Sequence, residues 1–330
     1  MDVTDLLGRA VAAGASDLHL AVGEPPLLRL DGELQRMAQP VLTSAALEQG
    51  MADLLDDGQR RQWLSGDELD LALSLPGVGR LRLNLFRQRN GLGASARLIP
   101  ARVPSLDELD LNDVYQAVAQ CRDGLVLVGG PTGSGKSSTL AALLDQINRE
   151  RALQVITLED PIEFIHRGQG CLVNQREIGV HSRDFAQGLR SALRQDPDVI
   201  MVGELRDLES IRLALRAAET GHLVLATVHT RSALNSIDRL VEVFAAEEKP
   251  LVRMMLAESL RLVVAQVLVR RVGGGRVAAR EVLIATPAVR NLIREGRMAQ
   301  VQSVMQAGAA QGMRTMEGAM QALRQKGLVD

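Results

Sequence analysis

Two kinds of hydrophobic pattern divide this chain near residue 100. In the first part apolar and polar positions alternate. Val3, Leu6, Leu7 and Ala10 repeat at helical spacing, which predicts an amphipathic helix at the start. DLHL (17–20) and LLRL (27–30) alternate as strands do, and Asp31-Gly32 makes a two-residue hairpin turn between LLRL and ELQRM. A helix is expected from about Ser44, capped by Thr43 or Ser44. GRLRLNLF (79–86) and ASARLI (94–99) predict further strands, joined by a loop containing Asn90-Gly91. Residues 1–100 therefore read as a small α+β domain. Pro100 and Pro104 disfavour helix at the residues before them, so 101–109 reads as a linker.

From about residue 110 the apolar runs become continuous. LVLV (125–128), VITL (155–158), VIMV (199–202) and LVLAT (223–227) suit strands buried on both faces of a parallel sheet. Helical stretches separate them, which is βαβ architecture. Residues 110–330 are thus expected to form an α/β domain. After 250 the pattern turns mainly helical, with one hairpin around VGGGR (272–276).

Composition narrows the class. Of the 330 residues 46% are hydrophobic, enough for a sizeable core. The net charge of -2 and the 2% of aromatic residues argue against a nucleic-acid translocase, which needs a basic face and stacking platforms. The 2 cysteines, Cys121 and Cys171, form no CxxC pair, so neither a zinc site nor a disulfide framework is expected. No window of about 18 apolar residues predicts a transmembrane segment. The acidic start MDVTDLLGRA lacks a signal-peptide core, so a cytoplasmic protein is expected, peripheral to a membrane only through partners.

The chemistry begins at GPTGSGKS (130–137), which follows a predicted strand and precedes a predicted helix. It fits the phosphate-binding loop G-x-x-x-x-G-K-[ST] in full. Gly130, Gly133 and Gly135 let the loop Gly130, Pro131, Thr132, Gly133, Ser134, Gly135 curl its N–H groups toward phosphate. Lys136 is placed to reach the β- and γ-phosphates and Ser137 to ligate Mg²⁺, with Ser138 beside it at the positive end of the helix. ATP and Mg²⁺ are the expected ligands. Ligands of α/β sheets sit at the carboxyl ends of strands. There VITL ends in Glu159 and, four residues on, Glu163; VIMV ends in Gly203-Glu204; LVLAT ends in Val228-His229. Glu204 is the candidate to position or deprotonate the attacking water. Gly203 stands where an ordinary Walker B strand ends in Asp, which leaves Mg²⁺ to Ser137, phosphate oxygens and water.

ITLEDPIEFIH (156–166), DPDVIMVGELRD (196–207) and TGHLVLATVHT (220–230), with the phosphate loop before them, resemble the Asp box, atypical Walker B and His box of the secretion ATPases of type II secretion and type IV pili. The likeness is greatest to the pilus retraction branch. The chain opens directly with a SDLHL-containing domain, lacks the tetracysteine zinc motif, and carries AVRNLIREGR (288–297), similar to a retraction motif. The resemblance implies a PAS-like N-terminal domain, a RecA-like P-loop ATPase domain with a helical C-terminal part, and a homohexameric ring. It implies work on an inner-membrane pilus platform protein, with a paralogous pilus ATPase as a further partner. It carries roles onto Glu159 and Glu163 of the Asp box, Glu204, and the His pair His222 and His229. GRLRLN and ARLIP are similar to family segments whose arginines reach the nucleotide, which maps Arg80, Arg82 and Arg97. Pilus extension, type II secretion, or a non-motor accessory subunit are the alternatives within the same family. Thr286 and Pro287 start a helix over the retraction-like segment, with Ala288 and Leu292 on one face and Arg290 and Arg294 on another. Its Leu292 and Ile293 are expected to serve an external contact.

Overall fold

The computed structural model describes residues 2–100, 102–111 and 113–330. Ala101, within the expected linker, lies outside the described residues, as do Met1 and Asn112. The chain divides into two compact units, Met1–Arg102 and Val103–Asp330.

The first unit begins with α1 (Val3–Ala12), capped by Asp2, whose buried residues are Val3, Leu6, Leu7 and Ala10. Then come β1 (Asp17–Ala21), β2 (Leu27–Leu30) and β3 (Glu33–Arg36), α2 (Ser44–Ala52), α3 (Asp57–Leu64), and β4 (Leu69–Leu75), β5 (Gly79–Gln88) and β6 (Gly91–Ile99). The strands form one sheet in the order β3-β2-β1-β6-β5-β4, every neighbouring pair antiparallel. Asp31 and Gly32 both take positive φ, 49 and 91°, as a type I′ turn requires. Thr43, not Ser44, caps α2. The turn between β5 and β6 is Arg89-Asn90; Gly91 already pairs with Gln88, so the expected Asn90-Gly91 loop sits one residue too late. Leu81, Leu83 and Leu85 of β5 alternate inward, against Leu18, Leu20, Leu47 and Met51.

The second unit carries α4 (Asp113–Ala119), β7 (Gly124–Gly129), α5 (Lys136–Glu150), β8 (Gln154–Glu159), β9 (Leu172–Glu177), α6 (Phe185–Ala192), β10 (Val199–Val202), α7 (Leu208–Glu219), β11 (Leu223–Val228), α8 (Ala233–Glu242) and α9 (Lys249–Ser259). It continues with β12 (Leu260–Arg270), β13 (Arg276–Ile284), α10 (Pro287–Glu295), α11 (Met298–Ala307) and α12 (Met316–Gln325). Its sheet runs β13-β12-β7-β11-β10-β8-β9. All neighbours are parallel except β12 and β13. Every residue of β7, β10 and β11 is buried, which is why these strands read as unbroken apolar runs. Two hydrophobic clusters, one on each face, hold the sheet between helices.

The region after 250 is mainly helical, as expected, with α9, α10, α11 and α12 around one hairpin. The hairpin at 272–276 joins strands of 11 and 9 residues that extend the main sheet. One expectation changes: the buried side of α10 is Val289, Leu292 and Ile293, not Ala288 with Leu292. Leu292 and Ile293 belong to the unit's largest core cluster, so they are internal packing and are not offered to a partner. Arg290 is also held inward: its guanidinium donates to the carbonyls of Ala285, Glu258 and Leu260.

Candidate active site

The loop 130–135 joins β7 to α5 with Gly130, Gly133 and Gly135 at φ 152, 75 and 87°. At Gly130 a Cβ would collide with Ser134 and the Gln266 carbonyl, so this position tolerates no side chain. Gly135 is the N-cap of α5 and offers no side chain to cap it. The first-turn N–H groups of α5 are thereby left for a ligand, where the helix dipole favours an anion. Lys136 is buried, and its Nζ donates to the carbonyls of Gly130 (2.9 Å) and Pro131 (3.0 Å). Burial lowers its pKa, while Glu204 and then Glu163 hold its charge up. The Oγ of buried Ser134 has no partner among the described residues. A curled Gly-rich loop with an uncapped helix, a buried lysine and an unpartnered hydroxyl fits a polyphosphate.

Sequence reasoning missed the residue that braces this loop. Gln266, buried on β12, donates from Nε2 to the Ser134 carbonyl (2.7 Å) and accepts from Thr139 Oγ1 (2.9 Å). It links the loop, the first turn of α5 and the neighbouring strand. Its signal was a single amide inside the apolar run LVVAQVLV.

The acids arrive on neighbouring strand ends. Glu159 closes β8 and is buried; its carboxylate accepts from Thr157 Oγ1 (2.6 Å) and Gln175 Nε2 (3.1 Å). Burial raises its pKa against those hydrogen bonds. Glu163 is half-buried in the following loop, and its N–H donates to Glu159. Glu204 leaves β10 after Gly203. A Cβ at Gly203 would lie 3.1 Å from the Leu158 carbonyl, so glycine lets β10 stay close to β8 at this point. The Gly203 carbonyl also accepts from Thr227 on β11. Glu204 is held between two basic groups, Arg206 Nε at 2.5 Å and His229 Nε2 at 3.2 Å. Such charge-assisted contacts fix a carboxylate's orientation.

His222 does not join this group. It precedes the first residue of β11, and His229 follows the last. Seven residue steps at about 3.3 Å each put them roughly 23 Å apart. There the His222 ring hydrogen-bonds the Ala217 carbonyl (3.0 Å), closing the turn after α7.

Arg80, Arg82 and Arg97 lie on β5 and β6 of the first unit. Arg82 and Arg97 face each other directly across the ladder. Like charges so placed repel; each is offset by an acid of its own sheet, Asp70 for Arg82 and Asp17 for Arg97.

A family described as Type II/IV secretion system protein matches residues 1–326. The chain belongs to that family. It is 51% identical over 329 residues to the "Type IV pilus retractation ATPase PilT" of Pseudomonas aeruginosa, covering 100% of this chain and 96% of that one. It is 48% identical over 305 residues to a "Twitching motility protein" of Neisseria gonorrhoeae, covering 92% and 82%. Its fold matches the crystal structure of the pilus retraction motor PilT with bound ADP at a TM-score of 0.89 and 40% identity, over 100% of this chain and 95% of that one. The expected family and fold class, an α/β protein with a RecA-like ATPase domain behind a smaller N-terminal sheet domain, therefore hold. Among the described residues no helix is long and apolar enough to cross a membrane.

Proposed function

We propose that this chain is an ATP-hydrolysing motor that powers retraction of type IV pili. The observation that carries the reading is Glu204, oriented by Arg206 and His229 on the strand end beside the Lys136 loop. In this reading the 130–137 loop and the first turn of α5 hold the triphosphate, and Lys136 turns from its loop carbonyls to the β- and γ-phosphates. Glu204 orients the attacking water and takes up its proton. Glu159 and Glu163 complete the acidic wall, and Glu159 is kept in place by Thr157 and Gln175. Mg²⁺, held by Ser137, would neutralise phosphate charge. Arg80, Arg82 and Arg97 would serve the same end, since planar guanidinium groups suit phosphate oxygens.

Relatives named for pilus retraction and twitching motility support the task. We extend the reading to a homohexamer in the cytoplasm, acting on an inner-membrane platform protein. The test is turnover together with pilus retraction in a deletion strain complemented with this chain. Turnover with restored retraction is expected. A chain that hydrolyses ATP and leaves pili extended returns to the extension or secretion alternative; one without turnover is an accessory subunit.

A further inference from the structure

Away from the nucleotide loop the second unit has a cavity of about 40 Å³ beside β13, bordered by α4 and α12. By this measure one water needs only roughly 10–15 Å³, so there is room for a tetrahedral ion. Tyr115, Arg280, Arg314, Lys326 and Asp110 line it.

Three cations here face one acid. Asp110 is exposed, lies 3.7 Å from Lys326 and partly offsets the charge of Arg280, which leaves the three cations in excess. Tyr115 is only 3% exposed, and its hydroxyl has no partner among the described residues. The Nε of Arg280 is likewise buried and unpartnered. Burial pushes the Tyr115 phenol up to about 12, against the pull of Arg280 and Arg314, so it stays a neutral donor. Burial also lowers the Arg280 pKa. The frame is rigid. Val282 and Arg314 exchange two backbone hydrogen bonds (2.7 and 2.9 Å), fixing Arg314 beside β13 two residues from Arg280. Buried donors without an acceptor are costly, and the Tyr115 hydroxyl and the Arg280 Nε are two of them, while the exposed Arg314 brings its charge from the rim. The missing partner is an anion that accepts several hydrogen bonds.

We propose that Tyr115, Arg280 and Arg314 form a binding site for a phosphate-class oxyanion, separate from the nucleotide site. A guanidinium fork matches two oxygens of such an ion, and the phenol supplies a donor to a third.

Tyr115 is the chain's only tyrosine, so 3-fluorotyrosine labelling puts one fluorine resonance at this site. Full-length chain would be saturated with ADP to hold the nucleotide loop, then titrated with inorganic phosphate, with sodium chloride at matched ionic strength as control. Phosphate is expected to shift the resonance saturably, and chloride to leave it still. Arg314→Gln should weaken phosphate about tenfold or more, with ADP affinity unchanged. Tyr115→Phe, followed by calorimetry, should weaken it a few-fold. Parallel titrations with glycerol 3-phosphate and with phosphatidic acid vesicles distinguish a soluble phosphate ester from a lipid headgroup. A shift with either supports the site and names its source. Equal responses to phosphate and chloride, or an Arg314→Gln chain that binds phosphate like wild type, would overturn it. So would an unmoved resonance together with loss of assembly in Arg314→Gln, because the pocket would then receive a carboxylate of another subunit.

Discussion

At one end of β11 His229 meets the carboxylate of Glu204; at the other His222 bonds the carbonyl of Ala217. The contrast extends along both edges of the parallel sheet. The carboxyl edge gathers Lys136, Glu159, Glu204, Thr227 and His229 around a loop with open donors. The amino edge pairs its charges locally, Asp123 with Arg261, and Asp198 with the Gln154 N–H (2.8 Å). The strand interiors between them are apolar and closely packed. The proposed chemistry lies at the edge where parallel strand ends and helix N-termini point together. The same residue type therefore has different work at the two ends of one strand.

The strongest way to break this contrast is at Glu204. Glu204→Gln keeps the shape and would remove the proposed base, so kcat should fall about 10²–10⁴-fold. Nucleotide binding should survive, whereas Lys136→Ala should weaken it as well. A Glu204→Gln chain with wild-type turnover would mean that the carboxyl edge only binds nucleotide.

A second test uses pH. The loop 160–171 leaves the carboxyl edge after β8 and returns to start β9. His166 is buried in it, and its backbone N–H donates to Gln175, the same residue that holds Glu159. Burial lowers the His166 pKa to about 4. The unfolded chain then binds a proton that the fold rejects between pH 6.5 and 4. Stability is complete above about 6.5 and is lost as pH falls toward 4, by about 3 kcal/mol at about 1.4 kcal/mol per unit. Denaturant midpoints measured at pH 7 and pH 4.5 in wild type and His166→Leu should separate; identical pH dependence in the two would place the loss elsewhere.

The histidines give a smaller effect. His229→Ala removes one charge-assisted contact to Glu204, worth about 1.5–3 kcal/mol, so kcat should drop about 10–100-fold. His222→Ala should leave kcat near wild type and lower only thermal stability. Equal losses of kcat would show that the amino edge shares in turnover, for which nothing within one chain accounts.

Much of this was legible in the residues. LVLV, VITL, VIMV and LVLAT all became the parallel strands they predicted, because strands buried on both faces leave an unbroken apolar run. The loop glycines were legible because positive φ and close approach demand them. Other parts were hidden for physical reasons. β9 reads LVNQRE, a half-exposed edge strand with no apolar run. β12 and β13 extend the sheet through pairing, which composition does not record. His222 and His229 look alike within one short motif, and only the direction of the strand separates them. Leu292 and Ile293 looked free on a helical wheel because the core that covers them comes from distant elements.

The smallest predicted effect is at the amino edge itself. Asp123 pairs with Arg261, with side chains 43% and 25% exposed, so water screens the charges. Exposed pairs of this kind contribute about 0–1 kcal/mol. Arg261 keeps a second partner, the Glu258 carbonyl at 3.0 Å, so it is not left stranded when the acid goes. Asp123→Asn should therefore cost less than about 1 kcal/mol, and less again at high salt. Its kcat should match wild type. A double-mutant cycle with Arg261→Gln, read by denaturant midpoint, isolates the pair, and turnover of the same four proteins tests the edge. A coupling energy above about 2 kcal/mol would mean the pair is far better shielded than its exposure implies. A tenfold loss of kcat without loss of stability would be more serious. It would mean that charge at the amino edge is felt across the whole sheet, and the division of labour between the two edges would fail.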